Sequence, residues 1–248
     1  MKITFIAHSG FLVETEKAYF LFDYYKGNLP VLNPEKPLAV FVSHRHHDHY
    51  NRRIWDLPEQ YPLTDFVVSF DLPLDVLRKR IEPLRRAEKE GRVLQMEPDS
   101  DHTLVLRSCT EEKNKVRIET FRSTDEGVAF FLTSGEESIY HAGDLHLWLW
   151  AEEGEAYMED MKKQFASATE RLRGRHADAA FLLLDNRLGD NAFAGMDAYL
   201  TMMDISHVFP MHMWEDYALT DAYLEARKNM PQAKALHRIS REGQVFEI

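Results

Sequence analysis

Apolar residues fall into short blocks cut by Gly, Pro or paired charges, and that spacing predicts more strands than helices. The first fifty residues hold ITFIA, FLVET, AYFLFDYY and LAVFVSH, separated by Gly10, by Glu16 with Lys17, and by the stretch from Pro30 to Pro37. They read as a meander feeding one buried strand. DFVVSF at 65–70 adds a strand, Pro73 to about Glu90 has helical spacing with many charges, and VLQME and TLVLRS return to strand. The second half repeats the alternation, with VRIETF, GVAFFLTS and ESIYHAGD as strands, a polar helix from about Glu152 to Arg173, and AAFLLLD as a buried strand. A helix near Gly195 to Met203, the strand HVFPMH, a helix from about Thr220 to Asn229 and closing strands at LHRI and QVFEI complete it.

Two similar halves are visible in this order, and they predict an α/β (α+β) fold of two mixed β-sheets packed face to face with helices outside. No period of 20 to 50 residues repeats, which excludes solenoids and propellers. Pro and Gly are spread instead of clustered at a boundary, so residues 1–248 are expected to form a single domain.

Composition narrows the function. With 44% hydrophobic and 29% charged residues in 248, the chain is an ordinary globular one. A net charge of −11 repels phosphate backbones and anionic lipid heads, so neither nucleic acid nor membrane is an expected partner. Cys109 is the single cysteine, which excludes an intrachain disulfide. The opening MKITFIAHSGFLVETE sustains no apolar signal segment, and no apolar run reaches 18 residues, so the cytoplasm is the expected compartment.

Four of the twelve histidines lie in the run Ser43-His44-Arg45-His46-His47-Asp48-His49, directly after the apolar LAVFV. Imidazole and carboxylate together hold Zn, Mn, Fe or Ni, and side chains leaving a rigid strand end can be aimed at one point. His44 and His46 are two apart and share a face when extended; Asp48 and His49 are adjacent, diverge, and could serve a second ion if the chain turns there. The competing reading is a solvated histidine tract that binds metal loosely.

The run resembles the H-x-H-x-D-H signature of the metallo-β-lactamase superfamily, and the succession of strands and helices resembles its four-layer αββα sandwich over essentially the whole chain. The resemblance implies two metal ions, Zn2+ first, with Mn2+ or Fe as alternatives. It implies that Asp144, in Ile139-Tyr140-His141-Ala142-Gly143-Asp144, bridges both ions, and that His212, in Val208-Phe209-Pro210-Met211-His212, completes the second site with Asp48 and His49. Ala7-His8-Ser9-Gly10-Phe11 resembles the opening of the branch containing L-ascorbate 6-phosphate lactonase, which puts His8 near the metals. Asp23 matches an early aspartate that orients ligands from behind them.

One departure stands out. The superfamily usually supplies a third histidine to the first metal, yet the matching region reads Thr120-Phe121-Arg122-Ser123-Thr124-Asp125-Glu126-Gly127. Asp125 or Ser123 substitutes, or His8 or His141 swings in, or the protein works with one tight metal. On ligand chemistry Asp125 is the best replacement, being anionic.

A water shared by two divalent ions loses its proton near neutral pH, and the same ions polarise a carbonyl or phosphoryl oxygen. The expected activity is therefore metal-dependent hydrolysis of a small polar or anionic metabolite: a lactone, ester or phosphoester. Asp48 would orient the attacking oxygen, while His8 and His141 are either proton donors to the leaving group or histidines hydrogen-bonded within the core. Trp148, Trp150 and Trp214 would wall the pocket and Arg187 would contribute a cation, against the alternative that the rings are core and Arg187 pairs with Asp185 or Asp190. A nuclease or phosphodiesterase of the same fold is the first alternative, but the Arg78 to Arg92 run is interleaved with Glu82, Glu88 and Glu90. A non-catalytic metal-binding relic is the second. Members of the superfamily often form dimers or larger rings, so a homo-oligomer is expected by analogy.

Overall fold

The computed structural model of the protein describes residues 1–108 and 114–248, so Cys109 lies outside the described residues. The first sheet takes β1 (Lys2–Ala7), β2 (Gly10–Glu14), β3 (Tyr19–Phe22), β4 (Leu38–Val42), β5 (Thr64–Ser69) and β6 (Val93–Met96). The second takes β7 (Asp101–Val105), β8 (Lys115–Arg122), β9 (Val128–Ser134), β10 (Glu137–His141), β11 (His176–Leu183) and β12 (Asp204–Met211), while β13 (Val245–Glu247) returns to pair with β1. β1, β2 and β3 form an antiparallel meander, and β3 through β6 run parallel. In the second sheet β7 to β10 are antiparallel and β10, β11 and β12 parallel.

Period-two alternation sorts the first sheet's side chains. Phe11 and Val13, Ala39 and Phe41, and Val67 face the second sheet, whereas Leu12, Val40, Phe66 and Val68 face outward onto Trp55 and Leu84. Both faces are dry, which is why the strands read as nearly unbroken apolar runs. On the far side of the second sheet, Met161 and Phe165 of a helix at Glu155–Thr169 and Tyr199 of one at Ala194–Met202 join the same core. The Tyr199 hydroxyl lies 3.0 Å from that of Tyr140 on β10. The four-layer αββα sandwich expected from the sequence is the architecture observed.

Two predicted elements differ. The helix expected from Pro73 to Glu90 is two, Leu74–Leu77 and Glu82–Lys89, because Pro83 cannot sit in a helix interior and Ile81 turns extended ahead of it (φ −118°). The strand expected at LHRI reduces to a single bridge, Leu236 to Val208: His237 turns its ring onto Phe209, stacked at 4.5 Å, and the pairing stops.

Candidate metal centre

The polar run follows β4, and the other candidate residues follow strand ends as well: His8 after β1, Asp23 after β3, Asp144 after β10, Asp185 after β11 and His212 after β12. Ends of parallel strands are where open α/β sheets present their chemistry. His8 (φ 53°), Asp23 (φ 42°) and His212 (φ 64°) all adopt the left-handed backbone that non-glycine residues avoid. Each costs on the order of 1 kcal/mol or more, held in place by the packed sheets. Gly127 and Gly143 bring two further loops against Ser43, where an added Cβ would lie 2.0 Å from the Ser43 carbonyl oxygen and 2.8 Å from its Cβ, respectively.

The side chains converge as two donor groups, His8, Asp48, His49 and His212 in one and His44, His46 and Asp144 in the other. Asp144 faces both: its Oδ1 is 3.3 Å from His49 Nε2 and 3.6 Å from His212 Nε2, and its Oδ2 is 3.6 Å from His44 Nε2. His8 Nε2 lies 3.4 Å from Asp48 Oδ2, and His44 Nε2 3.1 Å from His46 Nδ1. Donor atoms around a tetrahedral ion with bonds of about 2.1 Å are about 3.4 Å apart, so these spacings match a coordination shell better than a hydrogen-bond network. The Nε2 atoms of His8, His49 and His212 and Oδ1 of Asp144 are buried with no hydrogen-bond partner among the described residues, an arrangement that costs free energy unless a cation fills it.

Hydrogen bonds behind the donors fix the tautomers. His49 donates its Nδ1–H to Asp23 Oδ2 at 2.8 Å, and His212 its Nδ1–H to Asp185 Oδ2 at 2.9 Å, leaving each Nε2 lone pair facing the cluster. Asp23 also receives the Ser43 N–H at 2.8 Å and Oγ–H at 2.6 Å. The serine oxygen then has only lone pairs for His44, 2.9 Å away, so that imidazole too carries its proton on Nδ1. One buried carboxylate thus orients a donor in each group. Burial, then the neighbouring His49, lowers His44 to about 2; burial also lowers His49 and His212, so the imidazoles are neutral and ready to ligate. Asp144 is raised well above the usual carboxylate range by burial and then by Asp125 and Asp48. Burial pushes Asp48 the same way, but the imidazoles of His8 and His49 beside it hold it below that range. The cluster is a crowd of acceptors lacking positive charge, and the donor set fits divalent Zn, Fe or Mn.

The groups floor a cavity of about 530 Å³ whose walls include Trp148, Trp150, Tyr157, Arg187 and Trp214. Asp125 lines it as well, near His46 and Asp144, with burial as the first cause of its raised pKa. The Ser123 Oγ accepts the Asp125 N–H at 3.1 Å. His141 is the correction. It lies fully buried, stacked on Phe22 at 4.9 Å, with Nδ1 accepting the Gly143 N–H and Nε2 facing the Ser9 carbonyl at 3.0 Å. Both nitrogens are occupied by backbone, so it offers no proton to the cavity. Arg187 answers to both readings made of it, pairing with Asp185 and lining the cavity.

Sequence reasoning missed the Asp185 contact to His212, the Ser43 relay, and Glu126, whose Oε2 sits 3.4 Å from His46 Nε2. A carboxylate just beyond a buried strand was the available signal for Asp185.

No curated protein matches the chain. A metallo hydrolase from the hyperthermophilic archaeon Ignicoccus hospitalis is similar in structure at 15% identity, covering 100% of this chain and 98% of that one, with a TM-score of 0.62. CmlA, a diiron β-hydroxylase from Streptomyces venezuelae, is similar at 11% identity and a TM-score of 0.62; all of this chain aligns, but it spans only 54% of that protein's length. The short form of human tRNase Z is similar at 14% identity, covering 100% and 99% of the two chains, with a TM-score of 0.54. The family model described as the beta-lactamase superfamily domain matches residues 2–159, well over half the sequence. With that match and the αββα sandwich, the chain belongs to the metallo-β-lactamase superfamily.

Proposed function

We propose that the protein is a metal-dependent hydrolase of a small molecule carrying a lactone, ester or phosphoester bond. The observation that carries the reading is the division of seven converging donors into two groups that share Asp144. His8, Asp48, His49 and His212 would hold one divalent ion and His44, His46 and Asp144 the other, with Asp125, which lines the same cavity beside them, to take the place of the usual third histidine. When bound, such ions acidify a water and polarise the scissile carbonyl or phosphoryl oxygen. Asp48, kept ionised and open to the cavity, would orient the attacking water by accepting its hydrogen bond. The tryptophan walls give the substrate's apolar body a surface to pack on. On this reading His8 serves as a metal donor and His141 as a core residue, so neither is assigned as the acid for the leaving group.

The test is elemental analysis of protein purified without added metal, beside the Asp144→Asn variant, followed by a screen of lactones and phosphoesters. About two Zn, Mn or Fe per chain, lost together in the variant, with turnover of at least one ester class, supports the reading. An ion count below one per chain defeats it and favours the non-catalytic relic. The nuclease alternative gains nothing from the −11 net charge.

A further inference from the structure

We infer that Arg187, held between Trp150 and Trp214, is an anion-recognising arm that selects substrates bearing a carboxylate or phosphate on a flat, apolar body. The inference rests on the hydrolase reading of the same cavity. Arg187 Nε and Nη2 are both taken by Asp185, at 2.9 and 2.5 Å, which fixes the guanidinium plane; Nη1 makes no hydrogen bond among the described residues. Its carbon centre stands 4.8 Å from the Trp214 ring and 5.6 Å from Trp150, so rings flank the charge while the side chain stays 44% exposed and within reach of a ligand. Asp185 in turn grips His212, so the arm is anchored to the donor cluster and its distance from it is set. A guanidinium with a free edge beside aromatic surfaces matches a planar oxyanion on a flat body.

The backbone supplies an independent indication. His212, Trp214 and Glu215 have φ of 64°, 51° and 65°, three left-handed non-glycine residues within four positions. Strain of that kind persists where a side chain's placement is needed. Here it sets the Trp214 ring, 43% exposed, over both Arg187 and His8, at 4.6 Å from the latter. Trp214 belongs to neither of the buried apolar clusters described. Charge does not oppose it: two divalent ions would offset the lining Asp48, Asp125 and Asp144, and Arg187 cancels the Asp185 behind it, so an anion would meet no net repulsion.

The experiment is calorimetric titration of metal-loaded protein with benzoate, phenyl phosphate and benzyl alcohol, in wild type, Arg187→Met and Trp150→Leu, with metal content measured in each. Wild type is expected to bind one or both anions at least tenfold tighter than the alcohol, and the stronger anion distinguishes carboxylate from phosphate substrates. Arg187→Met should bring that anion to within threefold of the alcohol at unchanged metal content. Trp150→Leu, which leaves the Asp185 pair intact, should weaken the anion by threefold or more. Equal binding of charged and neutral probes, or anion affinity within twofold of wild type in both variants, overturns the inference while the hydrolase reading stands. A wild-type protein that retains no metal overturns both.

Discussion

The Nδ1–H of His49 meets Oδ2 of Asp23 at 2.8 Å, and both side chains are wholly or almost wholly withdrawn from solvent. Because the same carboxylate reaches His44 through Ser43, Asp23→Ala should disturb both donor groups at once. A loss of roughly 10- to 100-fold in metal affinity is expected from removing such support. Ser43→Ala should weaken the His44 group alone. Calorimetric titration with Zn2+ reads the difference, and equal behaviour of the two variants would contradict the relay.

Asp125→Ala should lower bound metal from about two ions per chain to about one, if this carboxylate completes the His44 and His46 group. Elemental mass spectrometry checks it. Unchanged stoichiometry would leave that group with three donors and Asp125 as a wall of the cavity.

Acid should destabilise the metal-free fold. Burial depresses His44 to about 2 and His146 to about 3, and lowers His49, His141 and His212. Below about pH 6.5 the unfolded chain takes up protons that the folded chain refuses, so stability is full above that pH and falls as pH drops toward the folded values. Each such histidine contributes a slope on the order of 1.4 kcal/mol per pH unit, opposed in part by Asp144, whose raised pKa runs the other way. Chelated protein should therefore melt several degrees lower at pH 5 than at pH 7. A flat profile would argue that these imidazoles are solvated.

Gly127→Ala should be among the most damaging single-methyl changes. The new Cβ would stand 2.0 Å from the Ser43 carbonyl oxygen at a φ of 72° that alanine avoids. A cost of about 3 kcal/mol or more is expected from forced backbone movement at a left-handed site. Gly135→Ala, at φ 63° with open space around it, is the control and should cost about 1 kcal/mol. Chemical denaturation of the two variants tests the ranking.

The donors were legible because most sit in one run or at the tips of apolar strands, where local sequence fixes position. His44, His46, Asp48 and His49 needed only the strand LAVFV ahead of them. What stayed hidden depends on contacts far apart in sequence. Whether His141 faces cavity or core turns on Phe22 and the Ser9 carbonyl, more than a hundred residues upstream. Asp185 could be paired with Arg187 from the sequence, but its hold on His212 arises only when β11 and β12 lie side by side. His146 was equally hidden: it is buried, neither ring nitrogen has a hydrogen-bond partner among the described residues, and Gly195 makes room for its ring.

Each donor group draws on both sheets. The first sheet's loops give His8, Asp48 and His49 to the group that His212 closes from the second, and give His44 and His46 to the group that Asp144 closes. An ion in either place is therefore a crosslink between the halves of the sandwich, and the one joining His8 to His212 would close a loop of 212 − 8 = 204 residues. Crosslinks over loops that long restrict the unfolded chain most. Loading should accordingly act as a clasp on the whole molecule, slowing its opening and its digestion by proteases, and a chelator should loosen regions far from the cavity.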